Sequence, residues 1–323
     1  MLANLQRVAT LILVAVAIGW GAWSIWAGRA DLLWLGAAVI AAGYAGILGV
    51  EFWLLRRSYA ESDPLRPEFG QLIACWAREC AAAPQVFLWR QPFRSGAYAD
   101  HLNPVAGGRR GVLLVHGFVC NRGLWNPWMR RLRAADIPFV AVNLEPVFGS
   151  IGSYTDSIER GVRALEDATG RAPVIAAHSM GGLAVRSWIA EGNERRFHRV
   201  VTIATPHRGT RIARHGFSAN TREMQVGGPW LASLGGREKP ILYTRFTCFW
   251  SHCDNIVFPT MNATLPGADN RHLPATPHVQ MAYHPDVSEE VLRLLDEPEA
   301  GFSRSSPAAP RSAPGAASPR TRG

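Results

Sequence analysis

Val174-Ile175-Ala176-Ala177-His178-Ser179-Met180-Gly181-Gly182 runs directly into Leu183-Ala184-Val185-Arg186-Ser187-Trp188-Ile189. A short apolar run ends at a serine, small residues flank that serine, and helix-forming residues follow. This is the pattern of a strand, a sharp turn and a helix, with a nucleophilic serine at the apex. Such a turn strains the serine backbone and brings the strand close to the helix. The positions two before and two after must then be small, and here they are Ala177 and Gly181. The strict form of the pattern has glycine at both; alanine at 177 keeps the smallness. A buried serine at an ordinary strand-helix junction would give the same letters, so the flanking chain has to decide.

Outward from this turn the chain alternates. Gln85–Trp89 reads as a first strand and 111–115 as a buried strand ending at His116-Gly117-Phe118. Leu124–Ala135 reads as a helix and 138–144 as the next strand. Ile158–Ala168 carries Ile158, Val162 and Leu165 on one helical stripe, closed by Gly170. After the turn and its helix come strands at 200–204 and Ile241–Phe246. Strands that are continuous apolar runs, separated by helices, imply an α/β fold with a mainly parallel sheet covered on both faces. Residues 207–239 break the rhythm with mixed polarity around Met224, Trp230 and Leu231, and an insertion of that length suggests a substrate-covering cap. The last helix is expected to begin near Asp286, capped by it with Glu289 three residues on, which closes a domain spanning 84–299.

A serine hydroxyl needs a histidine to take its proton, and the histidine needs an acid to fix its tautomer. In a doubly wound sheet these partners sit on loops after later strands, in the order serine, acid, histidine. Asp254, in Ser251-His252-Cys253-Asp254-Asn255, stands just past a strand end. Its competitors are Asp269, in a polar loop with no strand before it, and Asp286, better used as a helix cap. His272, His278 and His284 all follow; His278 is favoured because it opens the segment leading to the terminal helix, whereas His284 precedes Pro285. The tetrahedral oxyanion needs two donors, and the backbone N–H groups of Met180 and Phe118 are placed to supply them. His116 reads as a structural residue of its loop.

The front of the chain is different. Residues 8–27 and 32–50 contain no charged side chain, and each approaches the ~20 residues needed to cross a bilayer. Trp20, Trp23, Trp26 and Trp34 lie near their central ends, and only Gly28-Arg29-Ala30-Asp31 separates them, so 1–57 reads as a transmembrane hairpin. Arg7, Arg56 and Arg57 at the outer ends favour a cytoplasmic domain. Residues 58–83 form a linker whose Phe69, Leu72, Ile73, Trp76 and Cys80 recur at the spacing of an amphipathic helix. Residues 300–323 are rich in Ser, Pro, Ala, Gly and Arg and read as a disordered basic tail. The net charge is +9, but no basic run with interleaved aromatics occurs, so the charge points to solubility and a membrane surface, with no nucleic acid as partner. The five cysteines lack paired spacing, which argues against zinc and leaves at most a bridge such as Cys248 to Cys253.

Val115-His116-Gly117-Phe118, Ala177-His178-Ser179-Met180-Gly181-Gly182, Thr205-Pro206-His207-Arg208-Gly209-Thr210 and the pair Asp254 and His278 stand in the order seen in bacterial lipases and esterases. Over about residues 85 to 297 the chain resembles the α/β-hydrolase superfamily, close to its triacylglycerol-lipase type. The resemblance implies Ser179 as nucleophile, His278 as base, Asp254 as orienting acid, Phe118 and Met180 as oxyanion donors, and no metal or organic cofactor. Joined to the hairpin, it implies a multi-pass protein of a bacterial inner membrane that hydrolyses lipid or small lipophilic esters. An acyltransferase or thioesterase would use the same triad, and a non-catalytic interaction module would keep the same scaffold.

Overall fold

The structure is a computed structural model that describes residues 1–103 and 109–298; the tail expected from residue 300 lies outside the described residues. Two long helices open the chain, α1 (Leu2–Trp26) and α2 (Leu35–Ser58). Both are long and apolar enough to cross a membrane, and only 6% of the most apolar window of each is buried. They are longer than the uncharged stretches 8–27 and 32–50, because their outer turns pack on the rest of the protein instead of ending at its surface. At the hairpin the indole of Trp20 donates to the Leu32 carbonyl (2.8 Å) and Arg29 pairs with Asp31 (2.9 Å). Gly36 permits the crossing there, since a Cβ would come within 2.7 Å of the Trp20 ring.

Next comes α3 (Phe69–Pro84), entered through a capping box between Glu68 and Gln71. Residues 85–89 are not a strand. They belong to π-helical turns over Gln85–Arg90 that carry the helix on into α4 (Gln91–Arg94). Pro84 lacks the N–H for a regular turn, and the wider turn accommodates that loss. The buried face of α3 is Leu72, Cys75, Glu79 and Ala83, while Phe69 and Ile73 of the expected stripe face outward.

The sheet consists of β1 (Val112–Val115), β2 (Phe139–Ala141), β3 (Val174–His178), β4 (Arg199–Ile203), β5 (Phe246–Trp250) and β6 (Asp269–His272). All pairings are parallel, in the order β2-β1-β3-β4-β5-β6. Helices α5 (Asn126–Ala134), α6 (Thr155–Thr169) and α7 (Met180–Ile189) connect the early strands. Gly170, at φ 67°, ends α6 in the left-handed conformation. Alternate strand residues feed two cores. Leu113, Val115, Ile175 and Ala177 pack with Ile158 of α6 and Leu183 of α7. Val112, Leu114, Val174 and Ala176 pack with Met129 of α5 and with Val291 of the terminal helix. The sheet is thus buried on both faces, which is why its central strands carry no polar alternation.

Two further strand expectations are corrected. The strand expected over Ile241–Phe246 lies at Phe246–Trp250, because Pro240 starts a 3-10 turn over 240–245. Asp269, expected in a loop, begins the edge strand β6, whose polar Asp-Asn-Arg-His face is largely exposed. The insertion 207–239 contains a 3-10 turn (Arg211–His215), α8 (Ala219–Glu223) and α9 (Pro229–Arg237). Two helices end the described chain, α10 (His278–Met281) and α11 (Pro285–Leu295). The cap of α11 is His284, whose Nδ1 accepts from the Asp286 N–H (3.3 Å), so Asp286 is not the capping residue.

Candidate active site

Ser179 joins β3 to α7 at φ 54° and ψ −131°, a region an L-residue occupies only where its surroundings hold it. Those surroundings are the small residues. A Cβ on Gly181 would stand 2.5 Å from the His116 carbonyl oxygen, and one on Gly182 would collide with Thr205. Helix and strand therefore approach through glycine, and the β3 register places Ala177 between Val115 and Thr202, where a methyl still fits. The serine is nearly covered, at 7% exposure.

Gly117 carries the adjoining loop against the serine: a Cβ there would lie 2.7 Å from Ser179 Cβ and 3.3 Å from its Oγ. Phe118 follows immediately. Among the described residues, neither the Phe118 nor the Met180 backbone N–H donates to another backbone group. Beneath this loop His116 is fully buried, accepts from the Leu144 N–H at Nε2 (3.0 Å) and faces the Gly117 carbonyl with Nδ1 (2.9 Å). Burial pushes its imidazole down to about 4, so it is a neutral brace, as its place in the loop suggested.

Asp254 follows β5 in a tight turn. Its Oδ1 accepts from the N–H groups of Ile256 and Val257 and from Nδ1 of His278, each at 2.9 Å. With Nδ1–H donating, Nε2 is the basic nitrogen of that ring. Asp254 and His278 are 1% and 6% exposed. Burial alone would lower the His278 imidazole, but the Asp254 carboxylate, helped by Glu79, outweighs it and holds the ring above its ordinary value. His178, the residue before Ser179, links the two halves. Its ring packs on that of His278, and its Nε2 lies 3.1 Å from the His278 carbonyl oxygen.

Of the rejected candidates, Asp269 pairs with Arg271 on the edge strand, His272 stacks on Trp250 and faces His252, and His284 with Asp286 stays at the α11 entrance. All five cysteines are free, so the Cys248–Cys253 bridge does not form. Among the described residues no cluster of His, Cys, Asp or Glu is arranged to hold a metal.

The N-terminal helices supply residues that the motifs did not indicate. Glu79 of α3 accepts from the Val279 N–H (2.8 Å), capping the short helix that begins at His278. Glu51 of α2 accepts from Asn255 Nδ2 (2.7 Å), and Asn255 Oδ1 accepts from the His278 N–H (3.2 Å). On the other side, Gln6 of α1 donates to the Val119 carbonyl (3.3 Å), next to Phe118. The outer ends of α1 and α2 thus brace the Gly117–Val119 loop and the Asp254–Asn255 loop respectively.

A buried ion pair fixes the insertion. Arg186 of α7 makes a two-pronged bond to Glu238 (2.7 and 2.6 Å) and donates to the His207 carbonyl (2.8 Å). One guanidinium therefore holds both ends of 207–239 behind the serine helix. Further out, Glu223 accepts from Ser150 Oγ and the Ile151 N–H. That bond pins the insertion to the loop bearing Phe148, whose ring meets Phe118 edge-on at 6.0 Å.

The model of the alpha/beta hydrolase family matches residues 112–319. Among solved structures, a Bacillus licheniformis lipase in its mature form is similar at a TM-score of 0.52 and 16% identity, over 59% of this chain and 93% of that one. Lipase B of Aspergillus fumigatus is similar at 0.50 and 18% identity, over 56% of this chain and 51% of that one, so the match spans about half the length of that lipase. No curated protein sequence matches the chain.

Proposed function

The chain belongs to the alpha/beta hydrolase family, and from that premise we propose that it is a membrane-anchored serine hydrolase that cleaves carboxylic esters, lipid or lipophilic acyl esters in particular. The observation that carries the reading is the continuity from the strained Ser179 through His178 to the His278–Asp254 pair. In this mechanism Ser179 Oγ attacks the acyl carbonyl while His278 Nε2 takes its proton. The N–H groups of Met180 and Phe118 receive the oxyanion and the alcohol leaves with the proton from His278; a water deprotonated by His278 then attacks the acyl carbonyl, and the acid departs as His278 returns that proton to Ser179 Oγ. Asp254 stabilises the imidazolium at both stages. The insertion 207–239 serves as the cap over the acyl group.

Membrane anchoring rests on the two exposed apolar helices, and a substrate carried in the bilayer fits a site whose supporting residues lie at the ends of those helices. Arg7, Arg56 and Arg57 flank the outer ends, whereas Arg29 in the turn is paired with Asp31; this bias favours a domain on the cytoplasmic face of an inner membrane. A reporter fused to the carboxyl end reads the orientation directly.

The deciding experiment is Ser179→Ala in the full chain, assayed on p-nitrophenyl esters of several chain lengths together with labelling by a fluorophosphonate. Loss of labelling and of at least about 10³-fold in kcat is expected. Hydrolysis within about tenfold of the wild type removes Ser179 from the mechanism, and a wild-type chain that neither labels nor hydrolyses is a non-catalytic scaffold.

A further inference from the structure

On the outer side of α2, away from the hairpin turn, lies a cavity of about 320 Å³. It is lined by Trp53 and Arg57 of α2, by Arg211, Arg214 and His215 of the insertion, and by Phe258. Three arginines therefore line one space with no acidic residue among those lining it. Among the described residues none of the three is in an ion pair: Arg57 lies over the Trp53 ring at 4.0 Å, and Arg214 donates to His215 Nε2 (3.0 Å). Arginines elsewhere in the domain, such as Arg186, Arg196 and Arg199, are held in ion pairs. Unpaired guanidiniums around a concave site favour a ligand that brings its own oxyanion, and their planar forks suit phosphate.

The position of the cavity narrows the source of that phosphate. It sits where an apolar helix leaves the bilayer, and a tryptophan at that level is typical of the membrane-water boundary. Ile47, Val50 and Trp53 form an exposed apolar stripe that leads along α2 to Arg57, a path for acyl chains below a headgroup. Phe217, two residues beyond His215, is 92% exposed and would enter the same layer. Basic pockets at membrane helix ends hold anionic headgroups by this combination.

We propose that this cavity binds the phosphate of an anionic phospholipid headgroup, at a site separate from the catalytic serine. The inference rests on the reading of α1 and α2 as membrane spans. It also gives the insertion a lipid contact of its own, because Ile212 and Phe258 of the cavity belong to the same apolar cluster as Cys253, next to Asp254.

The test uses the full chain in uncharged detergent, titrated with phosphatidylglycerol, phosphatidylcholine or inorganic phosphate, for the wild type and for Arg57→Gln/Arg211→Gln/Arg214→Gln. Carbonate extraction checks that both forms stay in membranes, a melting curve checks that the variant is folded, and hydrolysis of a short soluble ester by the wild type is read in parallel. The expected result is binding of phosphatidylglycerol at least tenfold tighter than phosphatidylcholine, lost in the triple variant, with inorganic phosphate failing to displace the lipid at equal concentration. Equal phosphatidylglycerol affinity in the two proteins overturns the site. Displacement by inorganic phosphate at equal concentration overturns the lipid assignment in favour of free phosphate. Extraction of the wild type by carbonate overturns the membrane reading itself, and absent ester hydrolysis in the wild type strikes only the catalytic reading.

Discussion

The rings of His178 and His278 lie 4.8 Å apart, tilted by 55°, and Nε2 of His178 approaches the backbone oxygen of His278 at 3.1 Å. The first of these precedes the strained serine; the second pairs with Asp254. Burial, reinforced by the charge of His278, pushes His178 down to about 3, so its ring is a neutral donor to that oxygen and does not compete as a base. The backbone carrying His278 is thus tied to the strand carrying Ser179, and from the other side to Glu79 through the Val279 N–H.

Glu79 is the first residue on which this arrangement makes a quantitative demand. Its carboxylate helps to raise the His278 imidazole, and a base must be neutral to act, so activity falls as pH drops through that raised value. Glu79→Gln keeps an acceptor for Val279 and removes the charge. The acid limb of kcat/KM should therefore move to lower pH, with kcat at pH 8 within about tenfold of wild type. Glu79→Ala also removes the cap and should lose a further order of magnitude or more in kcat, since misplacing a base by about 1 Å costs up to ~10²-fold. Burial pushes Glu79 itself up to about 7, so its charge is lost over the same interval; that loss weakens the hold of His278 on its proton as pH falls, and the wild-type limb should be the shallower. A pH profile on a short p-nitrophenyl ester checks this; identical limbs in the wild type and Glu79→Gln would leave Glu79 with a purely structural part.

The two glycines that crowd the serine should respond differently. In Gly181→Ala the new methyl meets the His116 carbonyl at 2.5 Å, and a main-chain obstacle cannot rotate away, so the helix must shift and the protein should lose several kcal/mol of stability. In Gly117→Ala the methyl meets Ser179 Cβ at 2.7 Å and Oγ at 3.3 Å. Displacement there falls on Ser179 and on the Phe118 N–H, so under the proposed mechanism kcat should drop by ~10² or more while the melting temperature changes less than in Gly181→Ala. Paired melting curves and steady-state kinetics decide it, and full activity in Gly117→Ala would count against the oxyanion assignment.

The serine turn was legible because its strain restricts residue size on both sides, and smallness is visible in letters. The sheet was legible for the same kind of reason: strands buried on both faces are unbroken apolar runs. The edge strand β6 was not, because one exposed side lets Asp269-Asn270-Arg271-His272 be entirely polar. Gln85–Trp89 has the β-branched and aromatic content of a strand, yet it continues a helix already started, which local composition does not reveal. In the sequence Glu79 reads as one more helix carboxylate. A signal existed, since it falls seven residues after Leu72 and four after Cys75, on a face that is otherwise apolar. Glu51 bonds to a residue 204 positions away, a relation no local pattern carries.

Buried neutral histidines should make the protein acid-labile, and His116 offers the cleanest case. Burial lowers it to about 4 in the folded protein, whereas in the unfolded chain it titrates near ~6.5. Between those values the unfolded chain binds the extra proton, so the contribution of His116 is fully present above the unfolded value and is lost as pH falls toward 4. His278 is raised and has the opposite sign: its contribution is complete at low pH and disappears as pH rises through its folded value. Glu79, raised by burial, also favours the folded state more as pH falls. Absolute stability therefore mixes signs, and the informative quantity is the difference between the wild type and His116→Gln, which retains amide donor and acceptor groups in the same cavity. At pH 7.5 the variant should be the less stable, having lost the bonds to Leu144 and Gly117. From pH 6.5 downward the gap should close by about 1.4 kcal/mol per unit, the full linkage slope for one proton. Chemical denaturation of both proteins in uncharged detergent at pH 7.5, 6.0 and 5.0 measures it. A gap that stays constant would mean that His116 is charged in the folded protein, and its role as a neutral brace under the Phe118 loop would have to be abandoned.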